Sequence, residues 1–228
     1  MTTSKIFLTF LVFVLFPWTS ASPVEKDVEV RGKRLISAKP PFALTAPSEF
    51  NLIDSFSHEN PGANSLTRVY FLVKAKGKQV EEMFILQIAD KTNPRAGPMA
   101  APPLKPYDEK RMYSKGRVQK GEVDGDRLTQ LIAWNPDAPS LQPLAKKNII
   151  IPPHWALQGQ FLFAYQTEHV ILIRYSRDVR TFGLKISEEG KVWEKSSISG
   201  NEKKAYEIFQ KSFLEMVNSI EANKPDSR

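Results

Sequence analysis

Apolar and polar positions alternate with a period of two along much of this chain. Over residues 67–74, Val69, Phe71 and Val73 alternate with Tyr70, Leu72 and Lys74. Over residues 82–88, Met83, Ile85 and Gln87 oppose Phe84, Leu86 and Ile88. Period-two patterns with few charges on either face predict strands buried on both sides, and the intervening Lys76-Gly77-Lys78 predicts a hairpin turn. Shorter β-like stretches precede this pair at 34–37, 42–46 and 50–55, punctuated by Lys39-Pro40-Pro41, Ala46-Pro47 and the turn Asn60-Pro61-Gly62. Two more strands are expected at 112–123 and 127–134, turning at Asp124-Gly125, although a helix fits the second as well. Residues 158–165 and 169–175, joined by Gln166-Thr167-Glu168, are dense in aromatic and β-branched side chains and predict central antiparallel strands. Residues 182–187 and 191–194 flank Glu188-Glu189-Gly190, which would close a last hairpin.

The period then changes. Over residues 202–222, Ala205, Ile208, Phe209, Phe213, Met216, Val217 and Ile220 recur three and four apart, the stripe of an amphipathic helix. Ser199-Gly200-Asn201-Glu202 has the form of a capping box at its start. Pro94, Pro98, Pro102, Pro103 and Pro106 rule out a helix or central strand over 93–106, so a long loop is expected there, either a recognition element or a plain crossover. With no β-helix-β alternation and no internal repeat, the expected fold class is α+β: one domain over 35–223, a mostly antiparallel twisted sheet covered on one face by the C-terminal helix. In layout this resembles the extrinsic photosystem II proteins and their bacterial relatives, a likeness of architecture that carries no functional residue with it.

The N-terminus does not fit the strand pattern. Lys5 precedes the apolar run 6–16, and Thr19-Ser20-Ala21 supplies the small residues that a signal peptidase reads, so residues 1–21 are expected to be a signal peptide cleaved after Ala21. A run of about eleven residues is well short of the roughly 20 that span a bilayer, which argues against an uncleaved anchor. Residues 22–34 are polar and charged and are expected to form a flexible lead, and residues 224–228 a tail. The 228 residues less these first 21 leave 207, enough for one core without disulfides, and the chain has no Cys. A Cys-free exported domain that also lacks an Asn-X-Ser/Thr acceptor fits a bacterial periplasm better than an animal secretion.

The net charge is +7, of which only Lys5 leaves with the leader. Lys105, Lys110, Arg111, Lys115, Arg117 and Lys120 crowd one stretch together with Tyr107 and Tyr113. Basic groups interleaved with aromatics bind phosphate- or carboxylate-bearing partners, so Lys110, Arg111, Tyr113, Lys115 and Arg117 are the candidate ligand-binding residues; a solvated strand edge is the plain alternative. Export makes nucleic acid an unsuitable partner and favours an anionic envelope component or a membrane protein complex.

Catalytic signatures are missing. There is no Gly-x-Ser-x-Gly, no Ser-x-x-Lys and no phosphate-cradling glycine loop. His58, His154 and His169 are far apart in sequence, and Glu122, Asp124 and Asp126 lack the length of a calcium loop. Glu81-Glu82 and Glu188-Glu189 are strand neighbours that point to opposite faces. Trp134, Trp155 and Trp193 could form a stacking platform or belong to the core. No cofactor is implied. The expected function is a non-catalytic exported binding or accessory protein; the alternatives are an enzyme, such as a hydrolase, whose site is assembled from scattered residues, and an assembly partner of a membrane complex.

Overall fold

A computed structural model describes residues 27–185 and 193–222. The leader, the greater part of the hairpin about Glu188-Glu189-Gly190 and the tail fall outside the described residues. The chain forms a single α+β domain built on two antiparallel sheets and a C-terminal helix.

The smaller sheet comprises β1 (Val28–Arg31), β2 (Arg34–Ala38), β3 (Pro41–Thr45) and β11 (Glu221–Ala222), in that order. The larger has seven strands: β4 (Asn51–Asn60), β5 (Ser65–Lys76), β6 (Gln79–Lys91), β7 (Met112–Lys120), β8 (Val123–Ala133), β9 (Trp155–Tyr165) and β10 (His169–Asp178). Their spatial order is β4-β5-β6-β10-β9-β8-β7. The first three strands and the last four are thus two meanders, joined by a crossover from β6 to the far edge at β7. The Pro-rich loop at 93–106 is part of that crossover, and Leu104 anchors it on Leu128 and Leu162 of the sheet.

Strand alternation divides the larger sheet into two faces, each with its own core. One face carries Phe84, Leu86 and Ile88 of β6, Ile171, Ile173 and Tyr175 of β10, and Phe161 and Phe163 of β9. The helix α2 (Gly200–Asn218) packs here through Phe209, Phe213, Met216 and Val217, and Leu35, Phe42 and Leu44 of the smaller sheet join the same cluster. Phe209 stacks on Tyr175 with ring centroids 5.2 Å apart. Gly159 of β9 lets the helix approach closely, because a Cβ there would lie 2.4 Å from the Phe213 ring. On the opposite face, Val69, Phe71, Met83 and Ile85 meet Trp134, Leu141, Leu144 and Ile151 from the segment that contains the short helix α1 (Gln142–Lys146).

Four local expectations need correction. Residues 28–31 are β1 rather than flexible lead, because Val28 is buried and pairs with Ser37 while Gly32, at φ 58°, turns the chain into β2. The β7–β8 turn falls at Gly121, also at φ 58°, and not at Asp124-Gly125. Gly125 lies inside β8, where a Cβ would sit 2.4 Å from the Leu162 carbonyl oxygen, so its role is close strand packing. Ser199 occupies the helix N-cap position without a side-chain cap bond, and Gly200 at φ 56° departs from the geometry that a capping box uses. The helix ends at Asn218, after which Glu221–Ala222 adds to β3 as β11; the Lys120 ammonium donates to the carbonyls of Asn218 and Ile220 at this turn.

Candidate functional site

Arg68 sits in β5 in phase with the apolar residues Tyr70 and Leu72, and it is buried. A charge on an apolar face requires partners, and Arg68 has three. Its Nε and Nη2 donate to Asp90 of β6 at 2.7 and 3.0 Å, its Nη1 donates to Asp27 just before β1, and its Nη2 also donates to the Lys39 carbonyl oxygen at 2.6 Å. Asp27 and Lys39 belong to the smaller sheet's end of the molecule, so one guanidinium ties the two sheets together. Asp90 lies opposite His169 in the β6–β10 register, and its Oδ1 is 2.8 Å from His169 Nδ1. Burial by itself would raise the Asp90 pKa; the bonds from His169 and Arg68 outweigh it and hold the carboxyl below its ordinary range.

An ionised carboxylate only accepts, so His169 Nδ1 carries a proton and donates the hydrogen bond to Asp90. Among the described residues Nε2 has no protein partner. His169 lines a cleft of about 470 Å³ whose lining also includes Lys39, Ser57, Lys91, Thr92 and Glu168 as well as the Arg68 cluster. Neither Lys39 nor Lys91 meets a carboxylate through its ammonium group among the described residues. The lining thus carries three carboxylates, Asp27, Asp90 and Glu168, and three cations, Arg68, Lys39 and Lys91, with Arg68 shared between Asp27 and Asp90.

A Ser-His-Asp hydrolase does not follow from this set. Ser57 shares a rung with Arg68, Ile88 and Ile171, while His169 lies two residues further along β10. Three strand spacings of about 4.8 Å separate β4 from β10, which places Ser57 well beyond hydrogen-bond reach of Nε2.

The five residues expected to form a basic site are engaged within the protein, with one exception. Arg111 pairs with Asp108 at 2.6 Å and lies over the Trp155 ring at 4.8 Å. Tyr113 is buried and its hydroxyl donates to the Trp193 carbonyl oxygen at 2.6 Å, with burial pushing its pKa up. The Lys115 ammonium donates to the Leu104 carbonyl oxygen at 3.0 Å, pinning the Pro-rich loop, and Arg117 pairs with Asp124 on the surface. Of the five, only the exposed Lys110 leaves its ammonium without a partner among the described residues. The stretch is the β7 edge and its supports. His58 and His154 lie on β4 and before β9, remote from His169, and Trp134 and Trp193 are buried in different cores, so no shared platform forms.

Glu82, at the other end of the same sheet face, is 1 % exposed. Burial would raise its pKa, but Lys74 at 2.8 Å, the Tyr175 hydroxyl at 2.7 Å and the charge of Arg177 together hold it below the ordinary 4.5. Both Glu82 and Asp90 therefore add stability that is complete above their unfolded values, near 4.5 and 3.8, and is lost as pH falls through the lower folded values. Thermal melts between pH 7 and pH 3 are expected to show falling stability below about pH 4.5, with a shallower slope in Glu82→Gln; an equal slope in that variant would remove Glu82 from the account.

No family model matches the chain, and no curated protein or solved structure matches it either. Among the described residues no helix is long and apolar enough to cross a membrane, and no group of three or more His, Asp or Glu is placed to hold a metal ion.

Proposed function

We propose that the protein is exported to the bacterial periplasm and there binds a small anionic component of the cell envelope in the cleft at His169. The observation that carries this reading is the cleft of about 470 Å³ that gathers His169, held by Asp90 through Nδ1, with Lys39 and Lys91 in its lining. A ring held by a part-buried carboxylate is preorganised for a ligand, and Lys39 and Lys91, which form no ion pair among the described residues, are the lining groups that can answer the charge of an anion. The leader expected over residues 1–21 and the absence of Cys support the location. Ser57, the serine of the cleft, lies out of reach of His169, so binding accounts for these groups better than a Ser-His-Asp hydrolysis does.

The test is retention of low-molecular-weight solutes from an envelope extract by the immobilised mature protein. Wild type is expected to retain an anionic solute that elutes with salt and is lost in Lys39→Ala/His169→Gln, while folding of the variant is confirmed by circular dichroism. Equal retention by both proteins would contradict the site, and no retained anion would contradict the function.

A further inference from the structure

The open edge of the larger sheet carries a cation placed to meet a partner strand. We propose that β7 takes up an extended acidic segment of a second protein by strand addition, and that Arg127 holds a carboxylate of that segment across Gly116. This site is separate from the cleft at His169 and does not depend on it.

Four observations lead there. First, β7 ends the seven-stranded order, and among the described residues no bond links the backbone of 113–120 to any strand but β8. Every second residue of an end strand turns its N–H and C=O outward, where another strand can pair with them. Second, Gly116 leaves a gap in that edge, and Arg127, opposite it on β8, fills the gap: a Cβ on Gly116 would lie 3.1 Å from Arg127 Nη2 and 3.3 Å from Cζ. The guanidinium therefore lies over the edge strand, one strand spacing of about 4.8 Å from the next strand position, within reach of a side chain on the same face of an added strand. Third, Arg127 is half-buried and forms no ion pair among the described residues; its bond runs from Nη1 to Ser114 Oγ at 3.2 Å. Ser114 is itself fixed by the Thr129 hydroxyl at 2.8 Å and by Gln210 of α2 at 3.3 Å, so the guanidinium is oriented while Nε and Nη2 keep a planar fork that matches a carboxylate. Fourth, β7 contains three cations, Lys115, Arg117 and Lys120, and no acid. Glu122 sits in the β7–β8 turn, while Asp124, paired with Arg117, and Asp126 lie on the face of β8 away from Arg127. Antiparallel pairing of β7 with a second copy about Gly116 would set Lys115 against Arg117, like charges that destabilise the pair, whereas an acidic strand meets no such repulsion.

The experiment is fluorescence anisotropy with the full-length mature protein and labelled peptides of nine residues, the length of β7, that alternate Thr and Val around a central Glu or a central Gln. The Glu peptide is expected to bind at least about tenfold more tightly than the Gln peptide, and methylation of its backbone nitrogens should abolish binding. Arg127→Gln should bring the two peptides to equal affinity. Gly116→Ala should do the same in a folded protein, because the new methyl group meets only the end of the Arg127 side chain and pushes it off the edge; circular dichroism checks the fold. Equal binding of the two peptides to wild type, a Glu preference that survives in Arg127→Gln, or full binding of the methylated peptide would overturn the proposal. So would the absence of binding by either peptide, and so would a dimer of the protein alone that excludes the Glu peptide, which would give the edge to a second copy.

Discussion

Gly159→Ala is expected to cost about 3 kcal/mol, at the upper end of what an overpacked methyl group does to a filled core. The new Cβ would lie 2.4 Å from Phe213 Cδ2 and 2.6 Å from Cε2 and Cγ, and none of these atoms belongs to a flexible chain end. Phe213 is fully buried and stacked with Phe209, which in turn stacks on Tyr175, so the ring has nowhere to go without moving α2. Urea denaturation measures the loss directly. Gly97, whose Cβ position is open, serves as the control, and Gly97→Ala should stay within about 0.5 kcal/mol. Combining Gly159→Ala with Phe213→Leu should cost less than the sum of the two single changes, because the smaller side chain removes the clash. Full additivity would mean that the helix does not sit on β9 at this point.

Arg68→Met is expected to be comparably severe, about 3 to 5 kcal/mol, because it removes the cation paired with Asp27 and leaves Asp90, on an apolar sheet face, with only its bond from His169. The sign of its pH dependence is diagnostic. In wild type Asp90 is held below its ordinary pKa; with the guanidinium gone, burial is opposed by the His169 bond without Arg68 and the pKa rises above that of wild type, so the deficit of the variant should be largest near neutrality and shrink as the pH is lowered. Asp27→Asn and Asp90→Asn added to Arg68→Met should recover a substantial part of the loss, since replacing all members of a buried cluster costs less than removing one. A deficit that is flat with pH would mean that Arg68 acts through packing alone.

The elements that were legible in the sequence are those whose alternation is long and whose ends carry turn residues: β5, β6, β9, β10 and α2 all follow from period and punctuation. The division into two sheets was not legible, since strand order depends on the β6–β7 crossover and no local pattern encodes where a Pro-rich loop lands. The β7–β8 turn was misplaced because Asp124-Gly125 has the composition of a hairpin, while the requirement for glycine at position 125 comes from Leu162 and Phe163 on the neighbouring strand. The basic stretch drew notice as a run of charge, yet Asp108, Asp124 and the Leu104 carbonyl oxygen answer most of it. The cleft carried a signal that composition hides: Arg68 two residues before Tyr70, and Glu82 and Asp90 in phase with Phe84, Leu86 and Ile88, place charges on the apolar face of strands. Charged residues at such positions are rarely buried unless paired, so phase rather than charge density marks the paired groups. Which partners they meet is set by strand order and by the smaller sheet, and neither is written locally.

The most direct test of the account sets two variants side by side for retention of the envelope anion: Lys39→Ala/His169→Gln in the cleft, and Lys110→Ala/Lys115→Ala/Arg117→Ala on the β7 edge. Retention lost in the cleft variant and kept in the edge variant is the predicted result. Retention kept in the cleft variant and lost in the edge variant would return the site to the basic stretch and contradict the assignment to His169.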